Sequence, residues 1–342
     1  MAAIRTGRGM VKEVGRGKTV SLKHVAIIMA FNDVEIFHGG SRSGIKSGIS
    51  YFDQFLMLAE SIREKWREKN FTYRIVALHS QPFNDAREDI LHQMGVDVIR
   101  VDTEALPWDC GKQKLKIRPA AYMLNFDCDF RLILDVDMLA IAEPKFDFRK
   151  DIQATYGGNK YSQREWKAIC NYLDCEMPRF PSLIKIYRGN YGEWSFLEHY
   201  LYQTGYVKKR IFPYFNNGAI LVRNDLAEKL GTCWLEYRKR YTKYILENKG
   251  LDIDQDGQDV IGLAINQITD NWGALPRGCN FMLQEKFYLG RRMINRSNDI
   301  ASLVHYINLS EGNRYYEMVE SRYRKIRAKY YKSPEATNAC NQ

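Results

Sequence analysis

Arg131-Leu132-Ile133-Leu134-Asp135-Val136-Asp137-Met138-Leu139 is the stretch around which the rest of this 342-residue chain falls into place. An apolar run of this length reads as a buried strand. Along a strand, alternate side chains share a face, so Asp135 and Asp137 point the same way and Val136 turns back into the core. Two carboxylates at the end of a buried strand are costly unless a positive group meets them. A hard divalent cation such as Mg²⁺ or Mn²⁺ suits oxygen ligands, and Mg²⁺ commonly holds a substrate phosphate as well. The plainer reading of an isolated Asp-x-Asp is a pair of acids capped by the following loop or helix. The neighbouring segments decide between the two.

Upstream of this stretch, strand and helix signals alternate. His24–Phe31 is an apolar run that ends in Asn32-Asp33. Ligands of open α/β sheets bind beyond the carboxyl ends of the strands, which makes Asn32 and Asp33 candidates for holding a nucleoside. Residues 51–68 carry apolar positions at helical spacing, 73–78 reads as a strand, 86–94 as a helix and 96–101 as a third strand. A short helix is expected over 118–125, with Pro119 in its first turn, where a missing N–H costs nothing. This alternation predicts a mostly parallel sheet covered by helices. The loop His38–Gly48 is basic and Gly-rich but lacks the spacing of a Walker A loop; Arg42 or Lys46 could still close it over a phosphate.

Downstream, Phe215-Asn216-Asn217-Gly218 is a turn that feeds another buried strand, and an amphipathic helix over 225–246 carries Trp234 and Tyr237 inward. Gln258-Asp259 opens a further helix, a place where backbone donors favour negative charge. His305 follows a mostly apolar run. Residues 156–213 are rich in aromatic side chains, whose faces suit the apolar C–H surfaces of sugars; Trp166 and Trp194 are the candidates there for binding an acceptor.

The composition, 45% hydrophobic and 27% charged, is that of a globular chain with enough apolar material for a sizeable core. No apolar run is long enough for a transmembrane helix. Residues 1–23 are basic and Gly-rich without an apolar h-region, which predicts no secretory signal and a cytoplasmic location. The 7 cysteines include no C-x₂-C pair and are expected to be reduced thiols. The net charge of +10 is partly terminal: Arg5, Arg8, Lys12, Arg16, Lys18 and Lys23 stand against Glu13, and 322–332 is a basic, aromatic helix-like stretch. A solvated helix and tail is the reading adopted for that stretch, with peripheral contact to an anionic membrane as the alternative. No nucleic-acid-binding signature is present, and no nucleic acid partner is expected.

Four of these stretches, in this order, resemble the GT-A nucleotide-sugar glycosyltransferases, and most closely glycosyltransferase family 8, which includes glycogenin and bacterial lipopolysaccharide galactosyltransferases. Phe130–Asp137 is similar to that family's strand and D-x-D motif, and Phe215–Gly218 to its F-N-[SA]-G turn. Gln258–Ile261 resembles the end of D-Q-D-x-L-N, and His305 the His of a late H-x-x-G motif. The chain departs from the pattern at Gly257, Gly262 and Asn308, and no Lys-Pro-Trp follows His305.

The resemblance implies a GT-A fold, Rossmann-like with a mostly parallel central sheet flanked by helices. It implies Mn²⁺ or Mg²⁺ held by Asp135, Asp137 and His305, and a donor site of Asn32, Asp33, Lys114, Arg118, Asp135, Asn216 and Asn217. Asn216, Gln258 and Asp259 would do the catalytic work on the donor sugar. The implied reaction moves a sugar from a UDP-linked nucleotide sugar to a glycan or glycoconjugate hydroxyl, with retention as the first reading; an inverting enzyme would instead need a carboxylate base near the acceptor hydroxyl, a role Asp259 or Asp256 could fill. In domain terms, a basic extension (1–23) precedes a GT-A domain (24–318, divided into 24–144 for the nucleotide and 145–318 for acceptor and catalysis), and a basic helix and tail (319–342) follows. The alternatives are a sugar-phosphate nucleotidyltransferase, which would carry a Gly-rich basic loop directly after the first strand, and a non-catalytic sugar-binding module of the same fold.

Overall fold

The computed structural model describes residues 21–31, 49–80, 83–102, 117–156, 163–177, 215–249, 258–276, 279–282, 302–306 and 314–331. Strands β1 (Lys23–Ala30), β2 (Phe71–His79), β3 (Asp97–Arg100), β4 (Phe130–Leu134), β6 (Ile152–Tyr156), β7 (Phe215–Arg223) and β8 (Trp272–Ala274) form a 7-stranded sheet in the order β3-β2-β1-β4-β7-β6-β8. β1 runs parallel to β2 and β4, β2 to β3, and β6 to β8, while β7 is antiparallel to both of its neighbours. A smaller sheet pairs β5 (Met138–Ala140) and β9 (Phe281–Met282) on either side of β10 (Leu303–His305).

The period-2 patterning splits the apolar residues of each central strand between two cores. From β1 and β4, Val25, Ile27, Met29, Leu132 and Leu134 enter one face, and Ala26, Ile28 and Ile133 the other. The first face is covered by α1 (Tyr51–Lys65), α2 (Asp85–Gln93) and α7 (Arg314–Tyr330), the second by α3 (Ala120–Met123), α4 (Gln163–Leu173), α5 (Asn224–Lys249) and α6 (Gln258–Ile268). Strands buried on both faces read as near-continuous apolar runs, which is why β1 and β4 were legible without alternation.

Two local features aim the sheet's C-terminal rim. Arg131 lies buried in β4 and donates to the carbonyls of Ala121, Tyr122 and Leu124 at 3.2, 2.7 and 2.6 Å, so the end of α3 is tied to the central strand. A Cβ at Gly231 of α5 would lie 2.7 Å from the Cβ of Tyr122, so a glycine there lets α5 close onto α3. Both contacts fix the turn that carries Arg118.

The C-terminal helix departs from the expected solvated element. It runs Arg314–Tyr330 and packs on α1, with Val319 and Ile326, and Tyr331 just beyond it, buried in the first core. Its basic face is matched: Arg322 pairs with Glu64, and Lys329 lies 2.7 Å from Glu60. A charge run alone does not reveal that its helix has a second, apolar side. Among the described residues Cys128, Cys170, Cys175, Cys233 and Cys279 are free thiols, as expected. No helix among them is long and apolar enough to cross a membrane.

Candidate active site

β4 stops at Leu134, one residue before the first carboxylate. Asp135 to Asp137 form the connection into β5, with Val136 buried between the two half-exposed acids. The backbone N–H of Asp135 donates to Gly218 O at 2.8 Å, and the N–H of Tyr306 donates to Asp137 O at 3.1 Å. β4 therefore brings the Asp-x-Asp to β7 on one side and to β10 on the other. That places His305, the last residue of β10, against Asp137, with Nε2 2.8 Å from Oδ1. Ligand atoms of Asp135, Asp137 and His305 all lie within 4.8 Å of one another.

β7 supplies the floor. The β6–β7 register shifts between Ala154 and Thr155, from Ile220 to Asn216, so Asn217, Gly218 and Ala219 have no partners on β6. Irregularities of this kind recur beside active sites, where they re-aim side chains. A Cβ on Gly218 would stand 2.9 Å from Asp135 Oδ2, 2.9 Å from Asn216 Oδ1 and 3.1 Å from His305 Cε1. The missing side chain is what keeps the space between the Asp135 carboxylate and the imidazole open.

Arg118, in the turn before α3, donates one guanidinium nitrogen to the Asp135 carboxylate and another to the Asn217 carbonyl. Asn217 is buried, and its Oδ1 has no hydrogen-bond partner among the described residues. Burial pushes the His305 pKa down, but the Asp137 charge and hydrogen bond, with the Asp135 charge behind them, outweigh it and hold the imidazole above its ordinary value. The Tyr51 phenol, at the start of α1, is raised by burial and then by the charges of Asp137 and Asp135, so α1 begins close to the same carboxylates. This is a concentrated negative field, with a donor set of two carboxylates and one imidazole. Hard oxygens with one nitrogen fit Mn²⁺, or Mg²⁺ with added water and phosphate oxygens.

Of the residues expected at the site, Asp135, Asp137, His305, Arg118, Asn216 and Asn217 come together. Asn32, Asp33, Lys114, Trp194 and Asp256 lie outside the described residues. Two expectations are corrected. Trp166 has no exposed surface and is packed in the second core among Ile169, Cys170 and Trp234, so it offers no ring face to an acceptor; aromatic content does not separate a stacking platform from a core residue. Asp259 is 1% exposed and accepts the Tyr241 hydroxyl at 3.0 Å, so its carboxylate ties α6 to α5 and is not presented to substrate. Gln258, half-buried in the first turn of α6, remains at the surface of that helix. One residue of the assembly had no sequence signal of its own: Asn280, buried beside His305.

No family model and no curated protein matches the chain. Among solved structures, an active-site mutant of LgtC aligns with a TM-score of 0.51 at 14% identity, covering 92% of this chain and 99% of LgtC. The bifunctional glycosyltransferase WbbM, in its apo form, aligns with a TM-score of 0.51 at 12% identity, covering 93% of this chain and 51% of WbbM. Both structures are of the GT-A type, and the likeness gives this chain the same fold: a mostly parallel sheet between helices with an Asp-x-Asp at its rim.

Proposed function

We propose that this chain is a metal-dependent glycosyltransferase that moves a sugar from a UDP-linked nucleotide sugar to a hydroxyl of a glycan or glycoconjugate, with retention of configuration. The observation that supports it is the convergence of Asp135, Asp137 and His305, from sequence positions 168 residues apart, at the C-terminal rim of a GT-A sheet. Asp135, Asp137 and His305 Nε2 would hold the ion, Mn²⁺ or Mg²⁺. Bound there, the ion supplies Lewis-acid neutralisation of the charge that develops on the departing diphosphate. Arg118 is the permanent cation of the same rim, and its planar fork matches a phosphate as well as it matches Asp135. Asn217 offers a buried acceptor to a hydroxyl of the donor sugar, and Gln258 a second polar group from α6. The side-chain oxygen of Asn216 is turned to Gly218 and Asn280, which leaves that atom out of direct sugar contact. With Trp166 in the core, Trp194 alone carries the proposal of a stacking residue for the acceptor.

The test is release of free nucleotide from a panel of sugar nucleotides, with Mn²⁺ and with excess chelator. Turnover of a UDP-sugar that chelator stops is the expected result. Turnover that survives chelation, or pyrophosphate release from a nucleoside triphosphate and a sugar 1-phosphate, would replace this assignment.

A further inference from the structure

Asn280 occupies an unusual position. Its backbone lies in the left-handed region, with φ +56°, a conformation that Asn tolerates better than other side-chain-bearing residues. The turn that holds it is anchored on three sides. Cys279 N–H donates to Pro276 O at 3.0 Å, the Thr155 hydroxyl donates to Cys279 O at 3.3 Å, and the Cys279 thiol lies 2.9 Å from the Ser302 hydroxyl. The Asn280 side chain is thereby inserted between β7 and β10, 1% exposed, with Nδ2 2.8 Å from Asn216 Oδ1 and Oδ1 2.8 Å from His305 Nδ1.

The direction of this chain of hydrogen bonds is forced from its far end. The backbone N–H of Gly218 can only donate, and it does so to Asn216 Oδ1 at 2.7 Å. The Asn216 atom facing Gly218 is therefore the oxygen, and the group that meets the same oxygen from Asn280 must be an N–H. With its amide nitrogen committed to Asn216, Asn280 presents its oxygen to His305. An oxygen there requires a proton on Nδ1. With Nδ1 protonated, the nitrogen left to give its lone pair to an ion is Nε2, which in the metal-free chain donates its proton to Asp137 Oδ1.

From this we infer that Asn280 is a positioning residue for the metal centre: with Asn216 it relays the fixed polarity of the Gly218 amide to His305 and selects Nε2 as the ligating nitrogen. The inference rests on the reading of Asp135, Asp137 and His305 as metal ligands. Partners of this type on the far nitrogen of a ligating histidine fix its tautomer, and their loss weakens metal affinity by roughly ten- to a hundredfold.

The experiment measures Mn²⁺ binding to the full chain by electron paramagnetic resonance and, separately, the tautomer of His305 by nitrogen-15 NMR of histidine-labelled protein with and without Mg²⁺. Asn280→Gly keeps the positive φ without strain and removes the side chain; Mn²⁺ affinity is expected to fall at least tenfold, with His305 no longer held as the Nδ1–H form. Asn280→Asp keeps an acceptor for Nδ1–H but sets two oxygens against each other at Asn216, so its affinity is expected to stay below the parent's while the Nδ1–H form of His305 is retained. Parent-like affinity in Asn280→Gly would overturn the inference, as would loss of the Nδ1–H form of His305 in Asn280→Asp. Proton placement on Nε2 in the Mg²⁺-loaded parent would also overturn it. A parent chain that binds no Mn²⁺ at all, yet shows the Nδ1–H form of His305 lost in Asn280→Gly, would instead remove the metal assignment and leave the relay in place.

Discussion

The rim around Asp135 and the seam between α1 and α7 are built from the same materials and finished differently. In the seam Asp53, Glu60 and Glu64 each have a partner. Asp53 accepts the Tyr331 hydroxyl at 2.7 Å, Glu60 meets Lys329 and the Tyr330 hydroxyl, and Glu64 meets Arg322. Val319, Ile326 and Tyr331 close the apolar side. At the rim, Asp135 and Asp137 are set within 4.8 Å of each other and of an imidazole, beside a glycine that keeps their space open. Like charges held that close oppose folding, and Arg118 offsets them from one side. The seam spends its polar groups on stability, whereas the rim keeps an electrostatic deficit that a cation can fill. Functional sites commonly carry local destabilisation of this kind.

The sharpest way to break the comparison is to remove one group from each region and measure both readouts. Asp137→Ala is expected to lower metal-dependent turnover at least about a hundredfold, the scale of losing one group that stabilises transition-state charge. Its thermal midpoint should stay close to the parent's, because a like-charge repulsion goes with the carboxylate. Ile326→Ala, in the seam, should cost about 2–5 kcal/mol of stability by calorimetry or denaturant unfolding, with Mn²⁺ affinity unchanged. If Asp137→Ala unfolds the chain, or Ile326→Ala weakens the metal, the two regions are not separable in this way.

Gly218→Ala sharpens the rim half of the contrast. The new methyl would press on Asp135 Oδ2 and Asn216 Oδ1 at 2.9 Å, so the acid must move away from His305. Weaker Mn²⁺ binding, by about tenfold or more, is expected. Parent-like binding in a titration would show that the space beside Gly218 is not the ion's.

The smallest effects concern pH and the seam alone. Burial raises the Asp53 pKa despite the Tyr331 and Ser50 hydrogen bonds and the Arg327 charge. Its folded form holds the proton more tightly than the unfolded chain does, so its contribution is present below about 3.8 and is lost as pH rises through the folded value. Glu60 is the opposite case. Burial would raise it, but Lys329 and Tyr330 together pull it below its ordinary value. Its contribution is present above about 4.5 and is lost as pH falls through the folded value. In thermal melts between about pH 3 and 6, Asp53→Asn should therefore steepen the gain in stability with rising pH, and Glu60→Gln should flatten it. Shifts of the same sign in both variants would mean that the two carboxylates do not sit in the environments described.

The fold was largely legible because its evidence is local. β1 and β4 are apolar runs with turn signals at their ends, α1 and α5 show helical spacing, and Pro119 stands where a helix start wants it. Asp135 and Asp137 were legible for the same reason, since two acids directly after the apolar run Leu132–Leu134 are a local statement, although both lie in the connection just past the end of β4. The C-terminal helix was placed correctly along the chain and wrongly in space. Its charge run is local information, but the partners that absorb it, Glu60 and Glu64, belong to α1, more than 250 residues earlier.

By itself, then, the sequence determined the alternating strands and helices up to β4, the strand after Phe215 with the two helices that follow it, and that two carboxylates come at the end of the central strand; β5, β6, β8, β9 and α4 were not read from it. Only the tertiary structure decided which other groups those carboxylates meet. Trp166 and Asp259 carry the residue types of a binding site and are consumed by packing, one in the second core and one on Tyr241. Asn280 carries no signal in its own neighbourhood and lies at the centre of the rim, because β10 pairs with β5 and so brings His305, and the turn before β9, up to the Asp-x-Asp. The physical reason is range: strand and helix preferences act over a few residues, whereas a hydrogen-bonded polar cluster is assembled from distant segments by the sheet order, and that order follows from how two apolar faces are buried at once.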